Sequence, residues 1–247
     1  MAEQYERVDF MSTYGVVPFS IWESDDPKFS NPILKHLKER QGESTRENTL
    51  KSFGGAGENT AYTATTSYFN PKLCKIIYSS YCPKNGTIFD PFSSVVRPYM
   101  AKILDYNYVG CEVRKDECDK INEMLNTNSL FEESDVRVLN MDCREFETDQ
   151  KFDLVFTCPP YWNLETYSEQ DNDLSSITDY SDFLTEMSKV YSKCLSLMHD
   201  ESYCCFVVAD FRDYSEGRKL INRLVPFVSD MIRCGEESGL SLYDKVI

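Results

Sequence analysis

Residues 87–112 decide the fold of this chain, and their sequence is TIFDPFSSVVRPYMAKILDYNYVGCE. Short apolar runs at the start and the end of this stretch predict two buried strands. The helical spacing of the apolar residues between them predicts a connecting helix. A strand–helix–strand unit is typical of a parallel sheet. Each predicted strand runs into an acidic residue, Asp90 for the first strand and Glu112 for the second.

The same alternation of helix and strand continues from about residue 61. The predicted helices are Asn70–Tyr81, Val95–Leu104, Arg114–Leu125, Tyr180–Leu197 and Leu220–Cys234. The predicted strands are Thr87–Phe89, Tyr108–Cys111, Val136–Leu139, Leu154–Phe156, Tyr203–Val208 and Ser241–Val246. Short apolar strands separated by helices predict an α/β fold with a mainly parallel sheet that helices cover on both faces.

Residues 1–60 differ from this pattern and are predicted to form an N-terminal arm, which leaves residues 61–247 as one α/β domain. The arm is punctuated by prolines and glycines and holds one short basic helix candidate, Ile33–Arg40. Its basic residues are Lys35, Lys38, Arg40, Arg46 and Lys51, among others. A solvated helix face is the more common role of such a basic run, and contact with a polyanion is the alternative.

Composition excludes several protein classes. Hydrophobic residues make up 41% and aromatic residues 13% of the 247 residues, which argues against disorder. No apolar run approaches the roughly 18 residues that span a membrane, and the start, MAEQYERVDF, lacks the pattern of a secretory signal. The ten cysteines form no C-x-x-C pair and only two histidines are present, so we expect no metal site and reduced thiols in a cytoplasmic protein.

The net charge of −15 bears on the choice of partner. Proteins bind nucleic acid mainly through Lys and Arg, which displace counterions from the phosphates. An acidic chain either has a partner that is not a polyanion or collects its basic residues on one face. Both alternatives are open at the level of the sequence.

The residues at the predicted strand ends indicate a ligand site, because parallel sheets bind ligands at the carboxyl ends of their strands. Glu112 is placed to accept hydrogen bonds from the hydroxyls of a nucleoside ribose. Asp142, after the third strand, could accept from an exocyclic amine of an adenine ring. The fourth strand runs into Cys158-Pro159-Pro160-Tyr161.

These motifs together resemble those of the DNA amino-methyltransferases, which methylate N6 of adenine or N4 of cytosine. Asp90-Pro91-Phe92 opens that family's D-P-F-x-G-x-G motif, and Cys158–Tyr161 matches its catalytic (D/N/S)-P-P-(Y/F/W) motif after the first position. Residues 207–213, VVADFRD, resemble the V-G-D-x-R-D strand end. Residues 67–71, SYFNP, resemble the segment that closes over the methionine part of the cofactor. Residues 14–20, YGVVPFS, resemble the N-terminal segment of a phage and bacterial branch.

The resemblance implies a Rossmann-like S-adenosylmethionine-dependent methyltransferase fold with a mainly parallel seven-stranded sheet, and it makes residues 61–247 the catalytic domain. The implied cofactor is S-adenosylmethionine, and the implied partner is DNA, bound through the N-terminal arm. Sequence recognition would come from the N-terminal arm, from the loop Asn163–Ser176, or from a partner, which is either a second copy of the chain or another subunit. The implied cofactor-binding residues are Ser67, Phe69, Asp90, Pro91, Phe92, Glu112, Asp142 and Cys143. The implied catalytic residues are Cys158, Pro159, Pro160 and Tyr161.

Two departures from the family pattern keep alternatives open. Cys158 stands where the family has Asp, Asn or Ser, and because it precedes the prolines we interpret it as a contact for the amine and not as a covalent nucleophile. Residues 93–98, SSVVRP, contain none of the glycines that let the backbone approach the cofactor. The alternatives are a non-catalytic methyltransferase-like binding protein and a methyltransferase of RNA amines.

Two further features concern the surroundings of the site. No separate target-recognition domain fits into the chain, and the loop Asn163–Ser176 carries acidic residues that would repel phosphates. These are Glu165, Glu169, Asp171 and Asp173. Asp210, in the VVADFRD segment, has two interpretations, a functional one and a structural one in which its carboxylate bonds nearby backbone.

Overall fold

The computed structural model describes residues 69–127, 134–164, 166–213 and 223–246. Its helices are α1 (Pro71–Tyr81), α2 (Val96–Ile103), α3 (Lys115–Thr127), α4 (Tyr180–Leu197) and α5 (Phe227–Glu237). Its strands are β1 (Thr87–Asp90), β2 (Asn107–Glu112), β3 (Val136–Asn140), β4 (Phe152–Thr157), β5 (Met198–Phe206), β6 (Phe211–Asp213) and β7 (Arg223–Val225). The N-terminal arm, with its predicted helix Ile33–Arg40, lies outside the described residues.

Five strands form a parallel sheet in the order β3-β2-β1-β4-β5. The chain moves from β1 outward to β2 and β3, and then returns to place β4 on the other side of β1. This reversal opens a crevice at the carboxyl ends of β1 and β4, as in doubly wound sheets. The predicted α/β, Rossmann-like fold is confirmed by this order.

Successive residues of each strand point to opposite faces of the sheet, and each face has its own core. Ile88 of β1 packs in the core that α1, α2 and α3 cover, while its neighbour Phe89 packs in the core that α4 and α5 cover. β2 repeats the division with Tyr108 and Val109. Helices on both faces, as predicted, therefore bury most residues of the central strands.

The strand count needs a correction. β6 and β7 pair with each other, antiparallel, in a separate two-stranded sheet, so the seven strands of the described residues are divided between two sheets. The predicted strand Ser241–Val246 does not form, since residues 240–246 have no ladder partner. Instead, the ring of Tyr243 packs against Tyr203 of β5 at a centroid distance of 5.2 Å.

Two other element boundaries also differ from the predictions. The predicted helix Leu220–Cys234 begins only at Phe227, because Pro226 cannot continue a helix and the residues before it form β7. β5 begins at Met198, directly after α4, and not at the predicted Tyr203. After the buried Met198, the strand continues with polar, exposed residues, which hides the strand pattern in the sequence. Among the described residues, none of the helices combines the length and the apolar character that crossing a bilayer requires.

Candidate functional site

The carboxyl ends of four neighbouring strands lie side by side along one edge of the central sheet. Taken in the order β3, β2, β1, β4, they end at or just before Asp142, Glu112, Asp90 and Cys158. The backbone N–H of Met141 donates to the carbonyl of Glu112 at 3.2 Å, and the hydroxyl of Thr157 donates to Asp90 at 2.6 Å. The structure thus brings the predicted strand-end residues together at the crevice between β1 and β4.

Asp90 is fully buried and its carboxylate receives four hydrogen bonds. One oxygen accepts from the backbone N–H of Phe92 at 3.1 Å and from the Thr157 hydroxyl. The other accepts from Nε of Arg97 at 2.6 Å and from the hydroxyl of Tyr108 at 2.5 Å. Four donors fill the acceptor positions of a carboxylate. The carboxylate is thus used inside the protein to hold the turn after β1, and the place of Asp90 in the cofactor site stays a prediction.

Arg97 is the positive partner of this carboxylate, and it is only 2% exposed. A second guanidinium nitrogen, Nη2, donates to the backbone carbonyl of Phe92. Burial opposes the charge of Arg97, but the charge and hydrogen bond of Asp90, together with Tyr108 and Cys158, raise the arginine pKa. The ring of Phe69, predicted to close over the cofactor, lies 5.0 Å from the guanidinium carbon and packs edge-on against Phe156. Ser67, the other residue predicted there, lies outside the described residues.

Ser93 occupies the space beside Gly110 of β2. A Cβ atom on Gly110 would lie 2.6 Å from the Ser93 hydroxyl oxygen, so only glycine fits at this close approach. The Ser93 hydroxyl also shares a hydrogen bond with the Tyr108 hydroxyl at 3.0 Å, and the Ser93 N–H donates to the carbonyl of Cys111 at 2.7 Å. The turn without glycines is therefore packed tightly onto β2 by its own side chains.

Glu112 ends β2 with its side chain 9% exposed. One carboxylate oxygen accepts from the backbone N–H of Arg114 at 2.8 Å and from its Nε at 3.3 Å, while the other has a longer contact of 3.4 Å to Nη2. Burial raises the pKa of Glu112, and the hydrogen bonds and charge of Arg114 counteract part of that rise. The second oxygen is the one with room to accept a further donor from a ligand.

Asp142 follows β3 and caps the short 3₁₀ turn Cys143–Glu145 by accepting from the N–H of Arg144 at 2.9 Å. The guanidinium of Arg144 also pairs with both carboxylate oxygens and reaches Glu186 on α4. The side chain of Cys143 lies in the core, where burial raises the pKa of its thiol well above the ordinary range. Its backbone carbonyl accepts from the N–H of Phe146 at 3.2 Å, which closes the 3₁₀ turn.

The segment of residues 166–176 lies against both of these arginines. The guanidinium carbon of Arg114 lies 5.4 Å from the ring centroid of Tyr167, and Arg144 donates to the carbonyl of Asn172 at 3.1 Å. Asp173 is buried and caps the 3₁₀ turn Leu174–Ser176, accepting from both the N–H and the hydroxyl of Ser175. Asp173 thus has a structural role, while Glu169 and Asp171 are exposed and Glu165 lies outside the described residues.

The Cys158–Tyr161 turn forms the other side of the crevice. Cys158 and Tyr161 are half-buried, while Pro159 and Pro160 between them are buried. The Tyr161 ring packs against Phe227 at 5.1 Å and against Phe211 of β6 at 6.0 Å. These aromatic contacts hold the half-buried ring beside β6 and α5.

Trp162, which the sequence analysis did not single out, has a left-handed backbone with φ of 50°. Bulky residues rarely adopt this conformation, and such strain concentrates at functional turns. Its indole ring packs against Tyr180 at 5.0 Å, and its Nε1 has no hydrogen-bond partner among the described residues.

The sequence also did not point to three residues that surround Asp90, namely Arg97, Tyr108 and Thr157. Of these, Arg97 had a visible signal, because a charged residue inside an apolar helical run is seldom buried without a partner.

Of the functional and the structural role considered for Asp210, the structure shows the structural one. Its carboxylate accepts from the backbone N–H of Val228 at 2.9 Å, in the first turn of α5. An acceptor at this position satisfies a helix N–H that has no partner within the helix. The VVADFRD segment therefore joins β5 to α5 and places β6 beside Tyr161.

A cleft of about 1260 Å³ lies elsewhere among the described residues. It runs between α1, the outer edge of β5 and residues 240–246, and none of the strand-end carboxylates lines it. Its shape follows from the unpaired outer edge of β5, which has β4 as its partner on the other side. The functional assignment therefore rests on the crevice at the strand ends, where the polar groups converge, and not on cavity size.

No protein-family model and no curated protein matches this chain. Among solved structures, a TehB-like SAM-dependent methyltransferase from Corynebacterium glutamicum matches with 14% identity over 86% of both chains, at a TM-score of 0.43. The magnesium protoporphyrin IX methyltransferase ChlM from Synechocystis, solved with bound SAM, matches with 10% identity over 64% of this chain and 61% of its own, at a TM-score of 0.40.

TrmN from Thermus thermophilus matches with 14% identity over 55% of this chain and 37% of its own, also at a TM-score of 0.40. The chain spans less than half the length of TrmN and of two matched O-methyltransferase structures. At these identities the likeness concerns the fold alone, and statements about chemistry rest on the chain's own strand-end residues.

Proposed function

We propose that this chain is an S-adenosylmethionine-dependent methyltransferase that acts on an exocyclic amine of a DNA base, N6 of adenine or N4 of cytosine. The observation that supports it most is the convergence of two acidic strand ends with an aromatic Pro-Pro turn. Glu112 and Asp142 lie on one side of the β1–β4 crevice, and the Cys158–Tyr161 turn lies on the other. A site for a nucleoside-bearing cofactor and a site for a planar base would thus share one sheet edge.

The hydrogen-bond acceptors of the crevice fit the proposed cofactor. The less occupied oxygen of Glu112 is the acceptor for ribose hydroxyls, and Asp142 is the acceptor for the adenine amine. Phe92 is half-buried in the turn after β1, next to β2 in the sheet, and offers an apolar contact. S-adenosylmethionine would supply an electrophilic methyl group on a sulfonium.

The residues of the turn act on the target amine. An exocyclic amine is a poor nucleophile because its lone pair is delocalised into the ring. The backbone carbonyl within the Pro-Pro turn and the side chain of Cys158 can hold its two hydrogens and favour a tetrahedral nitrogen. Tyr161 offers a face on which a flipped-out base stacks. Holding the nitrogen in line with the methyl group supplies much of the rate by positioning alone.

Contact with DNA is assigned to the N-terminal arm, because the chain as a whole is acidic. A second copy or a partner subunit would add sequence recognition. Replacing three basic arm residues by Gln should weaken DNA binding and reduce the salt slope by about one unit per lost phosphate contact. The three residues are Lys35, Lys38 and Arg40. Unchanged affinity and slope in this variant would exclude the arm as the DNA contact.

The test of the function combines cofactor titration with product analysis. Isothermal titration should show S-adenosylmethionine binding that Glu112→Ala weakens by about 1–3 kcal/mol, the effect of losing a charged hydrogen bond. Glu123→Ala, an exposed glutamate on α3, is the matched control and should bind as the parent does. Mass spectrometry of nucleosides after incubation with DNA would identify methylated adenine or cytosine. Product on RNA in place of DNA would redirect the proposal to RNA amines.

A non-catalytic binding protein is the second candidate, and a specific observation favours it. Asp90 has no free acceptor position, and Glu112 and Asp142 each already pair with an arginine two residues along the chain. The same titration separates the two candidates. Absence of binding at millimolar S-adenosylmethionine would favour the binding protein.

A further inference from the structure

Four buried side chains at the candidate site form one hydrogen-bonded group around Asp90. They are contributed by β1, α2, β2 and β4, and they are Asp90, Arg97, Tyr108 and Thr157. Each is at most 2% exposed. Buried charges are retained in proteins where they are paired and fully hydrogen-bonded, which is the case here. This group therefore ties the carboxyl ends of β1 and β4 to each other and to the side chain of Tyr108 from β2.

Arg97 holds two parts of the turn after β1 at once. Its Nε donates to the Asp90 side chain and its Nη2 donates to the backbone carbonyl of Phe92. The turn is closed from inside by the Phe92 N–H, which donates to Asp90. Two donors fixed in one plane are a property of the guanidinium group that lysine lacks. The planar fork, and not only the positive charge, matches this arrangement.

The turn that Arg97 holds is the one that lacks glycines. Where glycines shape a ligand-binding turn, the backbone itself reaches the required conformation. Here Ser93 packs against Gly110 on one side of the turn, and Arg97 holds the Phe92 carbonyl on the other.

We propose that Arg97 is a positioning residue of this site. By holding Asp90 and the Phe92 carbonyl together, it keeps the turn after β1 in the conformation that binds the cofactor. This inference rests on the proposed function, since it assigns the turn to cofactor binding.

The same carboxylate links the turn to the candidate catalytic segment. Thr157, which donates to Asp90, immediately precedes Cys158. Loosening Arg97 therefore shifts both the turn after β1 and the turn after β4. A residue that only neutralised Asp90 would act through its charge, and lysine would replace it without loss.

The experiment compares two test variants with a matched control. Arg97→Lys keeps the charge and removes the fork, while Tyr108→Phe removes one hydrogen bond to Asp90. Tyr78→Phe is the control, because Tyr78 is equally buried and its hydroxyl donates to the backbone carbonyl of Arg97 and not to the turn. Two quantities are measured: amide hydrogen exchange at Phe92 and Ser93 without cofactor, and the dissociation constant for S-adenosylmethionine.

We expect exchange at both amides to be about tenfold faster in the two test variants, because local opening becomes easier by roughly the free energy of one hydrogen bond. We expect the cofactor dissociation constant to rise about tenfold in Arg97→Lys, the factor for one lost charged hydrogen bond. The control should stay within about twofold of the parent in both measurements.

Parent-like exchange and binding in Arg97→Lys would overturn the inference, because charge alone would then suffice. Equal effects of all three variants would also overturn it, since they would reflect general loosening of the core. Failure of the parent to bind the cofactor would overturn the proposed function and, with it, the assignment of the turn. The exchange data need no cofactor and therefore distinguish that failure from a failure of Arg97 to hold the turn.

Discussion

Thr157→Val is the most direct test of the buried hydrogen-bonded group around Asp90. Threonine and valine have the same branched shape and both suit a β-strand, so the change removes a hydroxyl without opening a cavity. The hydroxyl that is lost donates to Asp90 at 2.6 Å, and both residues are fully buried. A hydrogen bond to a charged group contributes about 1.5–3 kcal/mol.

The expected loss of unfolding free energy is about 2 kcal/mol, toward the lower part of that range, because three other donors still serve the carboxylate. For a domain of this size, each kcal/mol lowers the melting temperature by roughly 2–4 °C, so the variant should melt about 4–8 °C below the parent. Calorimetry or circular dichroism measures the shift. The denaturant m-value should stay unchanged, since the surface exposed on unfolding is the same.

Thr185→Val provides the control. Thr185 is exposed on α4, and its hydroxyl donates to the carbonyl of Ser181 at 3.0 Å within the same helix. Exposed substitutions of this kind change stability by less than about 0.5 kcal/mol. If Thr157→Val melted within the same margin as Thr185→Val, the hydrogen bond between Thr157 and Asp90 would not hold the two strand ends together.

If Glu112 accepts from ribose hydroxyls as proposed, cofactor affinity should fall as the solution is acidified, because the carboxylate must be ionised and burial raises its pKa above the ordinary 4.5. Titration across pH should then show full binding above that raised pKa, and Glu112→Gln should abolish the dependence. Cys158→Ser and Cys158→Asp should keep or raise methyl transfer to DNA, whereas loss of activity in both, with an enzyme–base adduct seen by mass spectrometry in the parent, would make Cys158 a covalent nucleophile. Asp210→Ala should lower the unfolding free energy by about 1 kcal/mol, the usual effect of removing a helix cap, and Asp210→Asn should retain most of it; equal losses in the two variants by urea denaturation would show that the cap is not what stabilises α5.

The fold could be predicted where the apolar pattern is local and strong. The helix Tyr180–Leu197 was predicted with the bounds that the structure gives it, because its apolar residues keep a helical period over many turns. The predicted helix Leu220–Cys234 starts too early, because Pro226 within it interrupts the helical pattern. Ser241–Val246 has the alternation of a strand, but strand formation needs a partner ladder, which no local pattern reveals.

The candidate site could be predicted only as far as the strand ends. Asp90, Glu112 and Asp142 each follow an apolar run, so their common edge followed from parallel topology. Their hydrogen-bond partners could not be predicted from the sequence. Arg97 reaches Asp90 across a turn of the chain, and Thr157 reaches it from 67 residues away. Such pairings depend on side-chain direction in the folded protein, which spacing along the sequence does not encode.

The return of the chain to β1 has a consequence for how the protein folds. β1 and β2 are joined by one helix and can pair early, but Ile88 of β1 also pairs with Leu154 of β4, which is synthesised much later. Contacts between distant segments form slowly, because a long loop must close before they gain anything. We therefore expect the apolar edge of β1 to stay unpaired, and prone to association with other chains, until β4 pairs with it. We expect the crevice to form only when β4 pairs with β1, so interactions across it should slow unfolding far more than they speed folding.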